Sequence, residues 1–181
     1  MSEVVLKFKH GAKSYEIVKA LLDAASLTRL QSVVDLTYGV GRFYRLVRRR
    51  IVKLIGVDVA KHEWEVAPDE FYLMPCEAFV ARALRGEVAL GDVSLVVVDP
   101  PWNSTKRGAM PKGLGISNMP YHVKVDPRSV IWAAIKLARA SGAPLLYRYR
   151  EPLPCKHSVR AEAEVEVMNN RGAVYYGICE C

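Results

Sequence analysis

The chain is expected to be a three-layer α/β domain whose sheet is mostly parallel and ends in an antiparallel hairpin. Three observations predict this. Strand-like and helix-like segments alternate along most of the 181 residues. The apolar runs at 33–34 and 95–98 are continuous, which suits strands covered on both faces. Only the carboxy-terminal segment switches to strict alternation, with Val159, Ala161, Ala163, Val165 and Val167 set against polar partners, the pattern of a half-exposed antiparallel strand.

Each element has a local reason. Residues 4–9 read as a first strand, and Ile17, Val18, Leu21 and Leu22 recur at helical spacing over 15–25, with Ser14 as the expected N-cap. A short buried strand at 32–36 runs into Thr37-Tyr38-Gly39-Val40-Gly41, and a helix is expected from Arg42 to Arg50. A second core strand ends at Asp58, followed by a polar, helical segment from Val59. Residues 70–74 form a third strand broken by Pro75, and Cys76 to Arg85 its helix. The run Ser94-Leu95-Val96-Val97-Val98 ends abruptly in Asp99-Pro100-Pro101-Trp102. Two prolines cannot continue a ladder, so the backbone must turn where the acid appears. Residues 103–127 are the longest irregular stretch, of the length that in compact domains usually serves function. A helix over 128–140, stopped by Gly142 and Pro144, a strand at 145–150 and a hairpin turning at Asn169-Asn170-Arg171-Gly172 complete the chain.

Composition narrows the class. With 51% hydrophobic and 25% charged residues, the chain is expected to be one globular domain over 1–181. No apolar run approaches the roughly 18 residues of a membrane span, and the amino terminus does not read as a signal peptide, so the cytoplasm is the expected location and no membrane is involved. Cys76, Cys155, Cys179 and Cys181 form no Cys-x-x-Cys pair and have no histidines at zinc spacing. No metal is expected, and free thiols are the default. A single glutamine, Gln31, amid abundant Arg, Glu and Val leans towards a thermophilic source, in which an intracellular disulfide is compatible with the compartment. The formal net charge of +7 suits a polyanionic partner. The arginines at 42, 45 and 48–50 read as a solvated helix face. Lys106, Arg107, Lys112, His122, Lys124 and Arg128, with Arg148 and Arg150 on the same rim, flank the motif at Asp99 and are better placed to neutralise phosphates.

Chemistry concentrates at strand ends. Asp35 before Gly39 and Gly41 sets an acceptor beside a turn that lets a ligand approach the backbone. Asp58, ending the next strand, sits where a carboxylate of this architecture accepts from ribose hydroxyls. A nicotinamide dinucleotide site is the competitor, but its third glycine is replaced by Tyr44. Asp35-x-x-x-Gly39-x-Gly41 instead resembles the cofactor motif of class I S-adenosylmethionine-dependent methyltransferases, which have a Rossmann-like fold with a seven-stranded-type sheet. Asp99-Pro100-Pro101-Trp102 is similar to the Asp/Asn-Pro-Pro-aromatic motif of amino methyltransferases, chiefly those acting on adenine N6 in DNA or RNA.

That resemblance implies S-adenosyl-L-methionine as cofactor, contacted by Lys13, Asp35, Thr37, Gly39, Gly41, Asp58, Val59, Cys76 and Glu77. Ser14 stands where a proline often follows the lysine. It also implies a catalytic set of Asp99, Pro100, Pro101 and Trp102. An exocyclic amine is a poor nucleophile because its lone pair is conjugated into the ring. The carboxylate and the Pro100 carbonyl would accept its two N–H bonds, while Trp102 stacks on the extruded base. Asn103, Lys106, Arg107, Tyr121 and His122 are the expected substrate contacts. Cytosine N4, guanine N2 and a protein glutamine are the alternative acceptors, and a catalytically silent nucleic-acid-binding subunit is the alternative role. No separate target-recognition domain is visible, which points to RNA, or to a protein partner or second copy that supplies recognition.

Overall fold

The computed structural model describes residues 2–100, 126–167 and 170–181. An eight-stranded sheet is built from β1 (Val4–Phe8), β2 (Leu30–Asp35), β3 (Ile51–Asp58), β4 (Glu70–Leu73), β5 (Val93–Val98), β6 (Leu145–Tyr149), β7 (Lys156–Val167) and β8 (Asn170–Glu180), in the spatial order β1-β7-β8-β6-β5-β2-β3-β4. β8 is antiparallel to both neighbours, β6 and β7, and every other pair is parallel. Counted from β2, the parallel part runs 3-2-1-4-5, the doubly wound order. Its reversal point lies between β2 and β5, where such sheets bind ligands. The expected class therefore holds, with β1 added as an eighth strand parallel to β7 beyond the hairpin.

Among the described residues, three helices cover the sheet: α1 (Ser14–Ala24), α2 (Cys76–Leu84) and α3 (Pro127–Ser141). α2 and α3 close one face over Val34, Ile55, Val57, Val96 and Val98. On the other face Leu21 and Leu22 of α1 join Val33, Leu54, Leu95, Val97 and Ile178. α3 starts one residue before the expected Arg128, because the Asp126 side chain caps it by accepting from the Arg128 N–H at 3.0 Å and Pro127 suits its first turn, and Gly142, the expected stop, ends the helix at φ 64°. α1 departs from expectation by one residue. Lys13, not Ser14, is the N-cap, because the Glu16 carboxylate reaches back to accept the Lys13 N–H at 3.1 Å.

Two expected helices are absent. Residues 42–50 form two single 3-10 turns, Arg42–Tyr44 and Arg48–Arg50. The register Leu30↔Ile51 and Asp35↔Gly56 demands a return of five strand steps, roughly 17 Å. Nine α-helical residues would rise only about 13 Å, and the 3-10 turns, at about 2 Å per residue, lengthen the return. Beyond Val59 the chain is irregular up to β4, since its backbone groups bond outward. The Glu65 and Val66 N–H groups both donate to the Val40 carbonyl, at 2.9 and 3.3 Å, and the Tyr38 hydroxyl donates to Val66 O at 2.6 Å. Asp69 exchanges two bonds with Leu54, its N–H donating at 2.8 Å and its carboxylate accepting at 2.7 Å.

The free-thiol default is overturned for two of the four cysteines. Cys155 and Cys181 form a disulfide across 26 residues, while Cys76 and Cys179 are buried free thiols. Sequence spacing hides the pair. The register Lys156↔Glu180 brings the residue before β7 next to the residue after β8. Closing a loop of this length stabilises the fold by on the order of 3 kcal/mol through the unfolded chain. Urea titrations with and without reductant should therefore differ by about that amount, with the oxidised chain the more stable.

Candidate functional site

The carboxyl ends of β2, β3 and β5 carry Asp35, Asp58 and Asp99 to the reversal point of the sheet. The segment after β2 is stitched to both neighbours. Leu36 N–H donates to Val97 O and Tyr38 N–H to Val57 O, each at 3.0 Å. Between these bonds, the Thr37 hydroxyl accepts the Asp99 N–H at 2.7 Å and lies 3.4 Å from Asp35 Oδ1 as donor. One threonine thus joins the ends of β2 and β5.

Asp35 is buried, and the protein itself satisfies its carboxyl group. Oδ1 accepts the Thr37 N–H at 2.9 Å, and Oδ2 accepts the Tyr44 hydroxyl at 2.5 Å. Burial pushes the carboxyl pKa up to about 7, against the lowering effect of the bonds from Tyr44 and the Thr37 N–H. Tyr44, buried against the carboxylate, is pushed well above the usual phenol range, by burial first and by the Asp35 charge second.

Asp58 braces the glycine turn. Its carboxylate accepts the Gly39 N–H at 2.7 Å and the Ala60 N–H at 3.2 Å. Gly41 must be glycine on two counts: φ is 78°, and a Cβ would collide with the Val66 carbonyl and stand 2.7 Å from the Tyr38 hydroxyl. Tyr38 also lies across Gly56, where a Cβ would come within 2.7 Å of its ring. The turn and residues 65–66 are thereby locked together.

Asp99 meets Arg148 of β6 in a two-pronged ion pair, Nε to Oδ1 at 2.9 Å and Nη2 to Oδ2 at 2.5 Å, with the side chains 17% and 19% exposed for Arg148 and Asp99 respectively. The guanidinium lies over the Phe43 ring at 5.3 Å and the Tyr176 ring at 5.9 Å. Burial is the largest single effect and would lower the Arg148 pKa, but the charges of and hydrogen bonds to Asp99 and Tyr176 together outweigh it, Asp99 first, and the net shift is upward. Arg148 is therefore not an open rim cation awaiting phosphate, as its sequence position suggested. Arg150 does face solvent, stacked on its neighbour Tyr149 at 5.4 Å.

The structure brings together Asp35, Thr37, Gly39, Gly41, Asp58 and Asp99, with Val59 following Asp58 half-buried and Pro100 buried behind Asp99. Lys13 is exposed at the start of α1; two residues on, Tyr15 takes the Arg45 guanidinium at 4.6 Å. Cys76 and Glu77 open α2, which follows β4. The Cys76 thiol is buried and its pKa raised by that burial, and Glu77 accepts from the Ser129 hydroxyl of α3 at 2.9 Å. Pro101, Trp102, Asn103, Lys106, Arg107, Tyr121 and His122 lie outside the described residues. Tyr44 and Arg148 are the partners sequence reasoning missed. Their signal was present: an acid at 35 inside one core strand and an arginine at 148 inside another each demand a partner.

No family model matches the chain, and no curated protein matches it. Solved structures do. The fold is similar to that of the N-methyltransferase NodS from Bradyrhizobium japonicum, with a TM-score of 0.55 at 10% identity over 92% of this chain and 96% of that one. It is also similar to an rRNA methylase from Streptococcus thermophilus (TM-score 0.51, 11% identity, 94% of this chain and 98% of that one) and to a SAM-dependent methyltransferase from Agrobacterium tumefaciens (0.52, 14%, 94% and 63%). The chain has the Rossmann-like methyltransferase fold.

The Asp35 geometry predicts a pH dependence. The folded carboxyl keeps its proton up to about pH 7, whereas an unfolded one ionises near 4. The stability that this group contributes is therefore complete below about pH 4 and is lost as pH rises through about 7. Asp35→Asn removes that loss. Its stability relative to wild type should rise by on the order of 4 kcal/mol between pH 4 and pH 8 in denaturant titrations.

Proposed function

We propose that the chain is an S-adenosylmethionine-dependent methyltransferase acting on an exocyclic amine of a nucleobase, with adenine N6 in RNA or DNA the favoured acceptor. The observation that carries this reading is the position of Asp99-Pro100 at the carboxyl end of β5, next to the end of β2 and held there by Thr37. That is the crevice in which such a sheet takes its ligand. The N-methyltransferase and the rRNA methylase among the structural neighbours support the same reading, the latter favouring RNA.

The donor set fits the cofactor at some positions and not at others. A carboxylate offers about four acceptor sites. The bonds described for Asp58 use two, which leaves room for two ribose hydroxyls beside the Gly39–Gly41 turn. Pro75, Cys76 and Glu77 flank the adenine side, and Lys13 would contact the methionine end. Asp35 fits less well, because Thr37 and Tyr44 already cover its carboxyl group. Its role is to hold the turn in place. The cofactor, when bound, supplies an electrophilic methyl group on sulfur.

The chain's part is to aim the amine. The Asp99 carboxylate, fixed by Arg148, accepts one N–H of the base, and the Pro100 carbonyl accepts the other, which favours a pyramidal nitrogen whose lone pair is withdrawn from conjugation with the ring. The two bonds from Arg148 hold the Asp99 carboxylate in place as an acceptor, and the proton that the methyl group replaces leaves to solvent after transfer. Catalysis is then largely positioning. Trp102 stacks on the base, Pro101 stiffens the turn, and Asn103, Lys106, Arg107, Tyr121 and His122 contact the substrate strand.

A second reading, the silent nucleic-acid-binding subunit, is favoured by one observation: Arg148 occupies both oxygens of Asp99. Incubation of total RNA and of DNA with methyl-labelled cofactor, followed by mass spectrometry of nucleosides, separates the two. The enzyme reading expects labelled N6-methyladenine. It also expects Asp99→Asn to lower the transfer rate by about 10²–10³-fold with cofactor affinity unchanged. Cofactor binding without a labelled base in any nucleic acid would favour the silent subunit.

A further inference from the structure

Three sulfurs meet at the end of the sheet opposite the candidate site. Cys179 and Cys181 are two apart on and just beyond β8, so their side chains share one face, and their Sγ atoms are 3.8 Å apart. Cys155, immediately before β7, is carried to the same place by the pairing Lys156↔Glu180 and His157↔Cys179. All three Sγ atoms lie within 4.8 Å of one another. This end of the sheet is at the level of Leu145, the start of β6, whereas Arg148 and Asp99 stand towards the other end.

We infer that, with the Cys155–Cys181 disulfide reduced, Cys155, Cys179 and Cys181 form a binding site for one thiophilic cation, zinc(II) or copper(I). Thiolates bind zinc at about 2.3 Å, so two sulfurs sharing a tetrahedral ion stand about 3.8 Å apart, and a trigonal ion asks only slightly more. The Cys179–Cys181 separation already meets this requirement. The Cα atoms of Cys155 and Cys181 are 5.1 Å apart, so rotation of the freed side chains opens the remaining sulfur distances without moving the sheet. Cys155 and Cys181 are half-exposed, which gives an ion access, and Cys179 is buried beneath them. Arg139 donates from Nε to the Cys181 carbonyl at 2.8 Å. It fixes the end of the chain and sets a positive charge beside a set of thiolates whose total charge exceeds the ion's.

His157 is not a fourth ligand. Its Nε2 faces the Tyr147 hydroxyl at 2.7 Å, and its Nδ1 is 3.9 Å from the Glu3 carboxylate. Three sulfurs alone match the low coordination number of copper(I). Zinc(II) would complete its shell with a water. In either case the disulfide and the ion compete for the same atoms. Two of the three sulfurs are bonded to each other in the oxidised chain, and only the reduced chain can take up the ion.

The test uses the whole chain in both states. Dithiothreitol gives two electrons and two protons to the disulfide, closes into its own cyclic disulfide, and is removed without oxygen. Cobalt(II), as the coloured stand-in for zinc(II), and copper(I) held in acetonitrile are then titrated separately, with folding followed by circular dichroism. The expected result is one ion per reduced chain, with a thiolate-to-cobalt charge-transfer band in the cobalt arm or stoichiometric uptake in the copper arm, and no uptake by the oxidised chain. Cys179→Ala should weaken binding by more than about a hundredfold. Uptake of copper alone identifies the trigonal site, and uptake of cobalt identifies the tetrahedral one. A reduced, folded chain that takes up neither ion overturns the inference, as does Cys179→Ala binding as tightly as wild type. Should reduction unfold the chain, refolding on addition of either ion supports the site and failure to refold overturns it.

Discussion

A buried carboxyl group sets the terms for the loops around the reversal point. Asp35 lies inside the sheet at 3% exposure, and a carboxylate left there without donors would cost several kcal/mol. The chain following β2 meets that demand. Thr37 supplies its N–H and its hydroxyl, and Tyr44 comes round the turn to supply a second hydroxyl. Helix propensity differs by well under 1 kcal/mol per residue for ordinary side chains, too little to compete. The segment gives up its α-helix, and Tyr44 arrives at the carboxyl group on a 3-10 turn. Thr37, already oriented by Asp35, then has its hydroxyl in place for the Asp99 N–H.

The two faces of the sheet are finished differently. α2 and α3 pack on one face as ordinary crossover helices, and Ser129 to Glu77 ties them together near their amino ends. The other face has α1 and two short turns, with aromatic side chains filling the space that a helix would have occupied. Tyr38 and Tyr44 stack at 5.7 Å with their planes 10° apart, and Phe43 leans on Tyr176 at 6.3 Å. These rings give the glycine turn a rigid floor. The residues that replace the missing helix are therefore the ones that shape the candidate site.

Much of the fold could be read from the chain because strand burial writes itself into composition. The Val-rich runs at β2 and β5, the alternation through β7 and the Gly142 stop of α3 all had single physical causes acting locally. The strand ends at Asp35, Asp58 and Asp99 were legible for the same reason: an acid interrupting an apolar run has few structural explanations. What was not legible depended on distance in sequence. Arg42 to Arg50 has a helix-compatible composition, and neither the register of β2 against β3 nor the bond from Tyr44 to Asp35, which favour 3-10 turns there, is visible in that segment. The bond from Thr37 to Asp99 spans 62 residues, and the contact of Arg148 with Asp99 spans 49. The disulfide likewise follows from the pairing of β7 with β8 rather than from any cysteine spacing.

The pairing of Asp99 with Arg148 also limits how this sequence can drift. Both side chains are about four-fifths covered, and the guanidinium is flanked by Phe43 and Tyr176. Replacing either partner alone strands the other's charge among apolar surfaces, a change that in buried pairs costs about 3–5 kcal/mol, a large share of a small domain's stability. A lineage carrying this chain would avoid that cost by changing both positions together. Across descendants, positions 99 and 148 should then behave as a single inherited character, split between two strands and invisible to any inspection of one motif at a time.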